Sequence, residues 1–122
     1  MALVKALERR CSHRASVELT MDLVLQNNSI VPVTVTNLSE HGLQFRCDDW
    51  AAHEIEPRGI HLHPLDHPPL KAVITLQEHS LSIDCRIISA RRLSQNNYLI
   101  GLEFHPLPED EHRHLLTYLE SL

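Results

Sequence analysis

The 122-residue chain has few glycines, few cysteines and no long apolar run, and each of these features argues against a large class of proteins. It contains three glycines, too few for the glycine-rich loops that cradle phosphates in many nucleotide-binding enzymes. Its three cysteines, Cys11, Cys47 and Cys85, are odd in number and form no C-x-x-C pair. This pattern favours free thiols in a reducing compartment over a disulfide framework or a structural zinc site. No apolar run approaches the roughly 20 residues that cross a bilayer.

Charge is also unevenly distributed. The first ten residues are too interrupted by charge to form a secretory signal, so we expect a cytoplasmic protein without membrane insertion. The net charge of −5 argues against a DNA- or RNA-binding protein, which normally carries a basic face. Against that balance, Arg9, Arg10 and Arg14 form the strongest cationic cluster, opposed only by Glu8. An anionic ligand is therefore expected at this segment.

Catalysis and cofactor binding have little support in the sequence. No Ser-His-Asp or Cys-His constellation can be localised, so we expect no enzyme activity, no catalytic residue and no cofactor. The group His61, His63 and His67 with Asp66 resembles a metal cluster, but prolines surround it and no cysteine lies nearby. We therefore predict no metal site and interpret this segment as a surface loop.

The hydrophobic pattern predicts an all-β domain with one C-terminal helix. Alternating apolar residues indicate strands over Val17–Leu25, Ile30–Thr36, Leu43–Cys47, Leu70–Gln77, Leu81–Ala90 and Tyr98–Phe104. Pro108, the acids after it and leucines at helical spacing predict an amphipathic helix at about 108–121. The expected fold is a small antiparallel β-barrel of six to seven strands, capped by that helix. Residues 1–14 are expected to form a flexible segment and residues 15–122 the barrel domain.

Three segments complicate the strand assignment. Residues 48–58 break the alternation, and residues 59–62 form a strand-like piece that would be the seventh strand. Residues 91–97 are polar and are predicted to be a turn. Pro32 cannot donate to a ladder, so we expect it at an edge or a bulge of the second strand.

Two short motifs carry the chemistry. Arg10 and Arg14 form an R-x-x-x-R pair just before the first strand. An arginine fork can make two parallel hydrogen bonds to a phosphate or to the O6 and N7 edge of guanine. In an extended chain the two lie about 13 Å apart, which suits a ligand larger than one phosphate. Alone, such a pair is most often a set of solvated charges.

The second motif, N-x-S-x-x-G, lies between the second and third strands. Asn37 and Ser39 are two residues apart, so both side chains can face the same way and could hydrogen-bond a guanine edge. Gly42 suits a turn that needs positive φ, or a close approach of the backbone to a ligand. Alone, the motif also fits an ordinary polar turn.

Together, and in this order around the predicted strands, the motifs resemble those of the PilZ domain family of bacterial cyclic di-GMP receptors. The segment Ile100-Gly101-Leu102-Glu103-Phe104 is similar to that family's closing strand, and the resemblance runs from Glu8 onward. It implies that Arg10 and Arg14 bind guanine and phosphate and that Asn37 and Ser39 contact the base. Gly42 would keep the turn open to the ligand.

The resemblance has further implications. Arg9 could stack on a second guanine and so support a two-molecule form of the ligand. His41 stands where many relatives carry glycine and adds bulk at the rim of the site. The protein is expected to be a stand-alone, monomeric or homodimeric receptor. It would order its N-terminal segment over the nucleotide and signal to an effector protein in motility, attachment or biofilm control.

Two alternatives remain open at this point. The first is a PilZ-like protein-interaction adaptor that works without nucleotide, although the retained motif residues argue against it. The second is a metal- or redox-responsive protein that uses the histidine loop or Cys11.

Overall fold

A closed β-barrel forms the body of the protein. The structure is a computed structural model that describes residues 14–60 and 67–122. The strands are β1 (Ala15–Val24), β2 (Ile30–Leu38), β3 (Gly42–Cys47), β4 (Leu70–Leu76), β5 (His79–Ser94) and β6 (Asn97–Phe104). They follow one another around the barrel as β1-β2-β3-β6-β5-β4, and β4 pairs back onto β1. All neighbours are antiparallel, which confirms the predicted barrel with six strands in the described part of the chain.

The two-residue period of the strands decides which side chains enter the barrel. Phe45 of β3, Met21 of β1 and Ile100 of β6 are at most 1% exposed. Their neighbours along each strand point outward, because successive side chains of a strand alternate between faces. Since apolar side chains fill the interior, polar groups that could bind a ligand lie on the outer wall and at the barrel ends.

A short helix that was not predicted follows β3. Helix α1 (Asp49–Ile55) begins at Asp48, whose carboxylate accepts a hydrogen bond of 2.8 Å from the Ala51 amide. This N-cap satisfies a backbone donor that the helix itself leaves unpaired. Ala51, Ala52 and Ile55 are buried, so α1 packs its small apolar face against the core at the end of the barrel opposite to the β2–β3 turn.

The prediction of a turn over residues 91–97 is wrong. Residues 91–97 are not simply a turn, because β5 continues to Ser94 and Arg91 and Arg92 pair with Leu99 and Tyr98 of β6. This part of the hairpin is largely exposed, so it lacks the alternation that marks a strand in the sequence. Of the strand-like piece predicted over residues 59–62, Gly59 and Ile60 lie outside the strands and Ile60 is buried in a turn, whereas residues 61–62 lie outside the described residues.

Pro32 lies in a part of β2 that does not pair with β3, so its missing N–H removes no hydrogen bond to that strand. It pairs with Asp22 of β1, but the ladder between β2 and β3 ends at Thr34. The prediction of a local edge at Pro32 is therefore confirmed, although β2 itself has a neighbour on each side.

The C-terminal helix α2 (Glu109–Glu120) matches the predicted helix within about one residue at each end. Leu115 of this helix is fully buried, and the imidazole of His114 lies 3.0 Å from the carbonyl oxygen of Leu76. The helix therefore covers the end of the barrel that carries the β4–β5 and β2–β3 turns. Neither α1 nor α2, the helices of the described residues, is long and apolar enough to cross a membrane.

Candidate ligand-binding site

The turn between β2 and β3 is held together by the hydroxyl of Ser39. Its Oγ donates to the Gly42 carbonyl oxygen at 3.1 Å and accepts from the His41 amide at 3.3 Å. Leu38, the last residue of β2, is buried in the core, and Asn37 before it and Ser39 after it are half-buried and line the same surface cavity.

Asn37 presents an unsatisfied acceptor. A β-bulge between Val35 and Asn37 shifts the pairing of β2 with β3 and places the Asn37 backbone opposite Gln44. The Oδ1 atom of Asn37 is buried and has no hydrogen-bond partner among the described residues. A buried acceptor of this kind destabilises a fold by about 1–3 kcal/mol. A ligand with an N–H donor would remove that cost.

Gly42 is required for a reason different from the expected positive φ. Its φ does not lie in the left-handed region, but a Cβ at this position would lie 2.1 Å from the carbonyl oxygen of Leu102 on β6. The close approach is thus to a neighbouring strand. Any side chain here would displace β6 from β3 and deform the rim of the turn.

A cavity of about 130 Å³ lies on the outer wall beside this turn. Its lining comprises Arg14, Asn37, Ser39, His41, Gly42, Leu43, Gln44, Ile88, Ser89, Gly101, Leu102 and Glu103. Four of the six predicted ligand-binding residues therefore come together: Arg14, Asn37, Ser39 and Gly42. The other two, Arg9 and Arg10, lie outside the described residues.

Sequence reasoning missed the floor of the cavity. Gln44 of β3, Gly101 of β6 and Ser89 of β5 are register partners and form a row across three strands. A Cβ on Gly101 would lie 2.4 Å from the Ser89 hydroxyl oxygen, so the bare glycine makes room for that hydroxyl. A glycine inside an alternating strand often marks such a close approach, and that signal was present in the sequence.

Two charged residues that line the cavity, Arg14 and Glu103, differ in whether they already have a partner of opposite charge. Arg14 is exposed and forms no ion pair with any carboxylate in the described part of the chain. On the rim beside Gly42, Glu103 is already engaged, because Arg86 Nε and Nη2 both donate to its Oε1 at 2.9 and 2.8 Å. Among the residues that line the cavity, Arg14 is thus available to an anionic ligand, whereas Glu103 is largely neutralised.

The site is also connected to helix α2. Glu40, inside the β2–β3 turn, lies 3.3 Å from His112 Nε2 and 3.6 Å from His41 Nε2. The His41 side chain is 84% exposed at the rim, as expected for a residue that adds bulk there. A displacement of this turn would therefore change the contact between Glu40 and His112 of α2.

The two described cysteines are not suited to redox chemistry. Burial, with smaller contributions from nearby aspartates, raises the pKa of the Cys47 and Cys85 thiols from 9.0 to about 12. In a Cys11→Ser variant we expect both thiols to react with iodoacetamide at pH 8 about a thousandfold more slowly than ordinary thiols, because the thiolate is the nucleophile. Mass spectrometry before and after unfolding in urea measures this. Modification of the native variant at the rate of the unfolded chain would contradict it.

Of the histidine-rich group, His67 lies among the described residues. His61, His63 and Asp66 lie outside the described residues, whereas His67 is buried with its Nδ1 3.8 Å from a Glu56 carboxylate oxygen. Within residues 14–60 and 67–122, no group of three or more His, Cys, Asp and Glu side chains could hold a metal ion.

The fold and the site together define a small β-barrel module with a polar surface cavity. The profile of the PilZ domain family matches residues 8–121, and the chain belongs to that family. A comparison with curated protein sequences finds no significant match.

Solved structures show the same fold at low sequence identity. The PilZ domain of CeSA, from a cellulose-synthesizing bacterium, superimposes with a TM-score of 0.60 at 15% identity, covering 90% of this chain and 97% of that one. The PilZ domain of Escherichia coli YcgR with cyclic di-GMP gives 0.63 at 15% identity, covering 89% and 87%. The complex of K. pneumonia MrkH with cyclic di-GMP gives 0.68 at 18% identity and covers 88% of this chain. This chain spans about half of MrkH, 49% of its length.

Proposed function

We propose that this protein is a receptor for cyclic di-GMP that passes the binding signal to an effector protein. The observation that carries the proposal is the buried Oδ1 of Asn37, in a cavity that Arg14 also lines, where neither group has a partner among residues 14–60 and 67–122. Membership of the PilZ family and the cyclic di-GMP complexes of MrkH and YcgR support it. The function requires no chemistry by the protein, only recognition.

The residues would divide the recognition between them. Asn37 Oδ1 accepts from an N–H donor on the edge of a guanine, while the Arg14 fork donates to a phosphate or to the O6 and N7 edge of the base. Ser39 already uses its hydroxyl within the turn, so its contribution is to position Asn37 and Gly42. Arg9 and Arg10 are assigned to the same ligand by the resemblance of their motif.

Chemical-shift mapping tests the proposal directly. Addition of cyclic di-GMP to ¹⁵N-labelled protein should shift the amides of Asn37, Gly42 and Gly101, which surround the cavity. Amides of α1, at the opposite end of the barrel, serve as the internal control. Shifts confined to other surfaces would reject this site, and no shifts at all would favour the nucleotide-independent adaptor.

The orphaned acceptor leads to a specific prediction for Asn37→Ala. Removal of a buried polar group that has no partner among the described residues should leave the free energy of unfolding unchanged or slightly higher. The same change should weaken cyclic di-GMP binding about tenfold or more, because the base loses its acceptor. Urea unfolding and calorimetric titration measure the two effects. A variant that is less stable but binds normally would contradict the assigned role.

A displacement of the β2–β3 turn on ligand binding would carry the signal from the site to α2. Glu40 links that turn to His112 of α2, and His114 of α2 is held against the β4–β5 turn. A ligand that repositions the turn would therefore alter the contacts of α2, which is exposed along its outer face. This helix is the surface we assign to the effector.

A further inference from the structure

The cavity is too small for the ligand that the proposed function assigns to it. Sites for drug-sized ligands usually enclose about 300–1,000 Å³, whereas this cavity encloses about 130 Å³. A cyclic dinucleotide carries two guanines and two phosphates, so part of it must extend beyond the cavity, and the barrel wall beside the cavity is a surface that this part can contact.

The register of the strands shows what that wall presents. Two residues along from the cavity floor, Arg46 of β3, Leu99 of β6 and Arg91 of β5 form the next row across the same three strands. The step between the rows is about 6.6 Å, which an extended arginine side chain can span. The Cα atoms of Arg46 and Arg91 lie two strand spacings apart, or about 10 Å.

The charges of this row suit an anion. Arg46 and Arg91 are exposed, and neither guanidinium forms an ion pair or a hydrogen bond in the described part of the chain. Half-buried Leu99 between them offers an apolar surface for a base or a sugar. The row on the other side of the cavity contains Glu103 of β6 and Arg86 of β5, which pair with each other, so the Arg86 guanidinium is already engaged and is not available to a phosphate.

We propose that Arg46, Leu99 and Arg91 form a second subsite that binds the phosphate-bearing part of the cyclic dinucleotide lying outside the cavity. The inference rests on the proposed function and extends its site along the barrel wall. Each guanidinium can give two charge-assisted hydrogen bonds to a phosphate, and the pair would straddle the ligand over Leu99.

Calorimetric titration of the full chain with cyclic di-GMP tests the subsite. Arg46→Ala and Arg91→Ala should each weaken binding about tenfold, and the double variant should lose more. Arg92→Ala is the matched control, because it removes the neighbouring charge. The Arg92 guanidinium is already occupied by the carbonyls of Ser94 and Gln95 and lies over the ring of Tyr98. Arg92→Ala should change the affinity less than about twofold.

The outcomes separate the two proposals. If the wild-type protein binds and the Arg46→Ala/Arg91→Ala double variant binds equally well, the second subsite is overturned while the receptor function stands. If the wild-type protein fails to bind, the proposed function fails, and the subsite with it. The ¹⁵Nε resonances of Arg46 and Arg91 give an independent readout, since they should shift at saturation. Thermal unfolding of each variant checks that the barrel is intact.

Discussion

Replacement of Arg14 by alanine is expected to weaken cyclic di-GMP binding by about 100-fold or more, with little change in stability. The Arg14 side chain lines the cavity, is exposed and has no carboxylate partner in the described part of the chain. Its removal therefore deletes a bidentate, charge-assisted contact worth about 3 kcal/mol to the ligand while leaving the barrel contacts intact. Calorimetric titration and thermal unfolding measure the two quantities.

Two further substitutions sharpen the result for Arg14. Arg14→Lys keeps the charge but loses the planar fork, so its affinity should fall between that of wild type and that of Arg14→Ala. Arg113→Ala removes an exposed arginine of α2 that pairs with Glu109, and should bind like wild type. Equal losses in Arg14→Ala and Arg113→Ala would show that overall charge, and not this contact, governs binding.

The second large effect is expected for Gly42→Ala. The added methyl carbon would lie 2.1 Å from the carbonyl oxygen of Leu102, a backbone atom that cannot move without displacing β6 from β3. We expect the free energy of unfolding to fall by about 2–3 kcal/mol, as for other overpacked sites. Urea denaturation measures the loss.

Gly101→Ala provides the matched comparison. There the new methyl would meet the exposed Ser89 hydroxyl, which can rotate away, so stability should fall by less than about 1 kcal/mol. The methyl would nevertheless occupy the floor of the cavity and weaken ligand binding. If Gly42→Ala were as stable as Gly101→Ala, the close approach of β3 to β6 would not be the reason for the glycine.

Most of the fold could be predicted from the two-residue period of the strands. Where one face is buried, as at Phe45 and Leu102, the period is visible and the strand was predicted correctly. It disappears in the exposed end of the β5–β6 hairpin, so the pairing of Arg91 and Arg92 was missed. Helix α1 is only seven residues long, too short for helical periodicity to mark it.

The sequence predicted only those residues of the candidate site that belong to short contiguous motifs. Asn37, Ser39 and Gly42 lie close together in the sequence, at the end of β2, in the β2–β3 turn and at the start of β3, and all three line the cavity. Gln44, Ser89 and Gly101 lie on three strands, and the bulge between Ile87 and Ser89 changes which residues become neighbours. Such cross-strand rows depend on register, which sequence periodicity alone does not give.

Calorimetric titration of the unmodified protein with cyclic di-GMP measures whether this barrel binds the nucleotide. GTP, another guanine nucleotide with several phosphates, serves as the control ligand. For cyclic di-GMP we predict a saturable binding heat with a dissociation constant of about 1 μM or below, which corresponds to a favourable binding free energy of at least about 8 kcal/mol. GTP should bind much more weakly. The absence of heat and of chemical-shift changes at millimolar cyclic di-GMP would contradict the account.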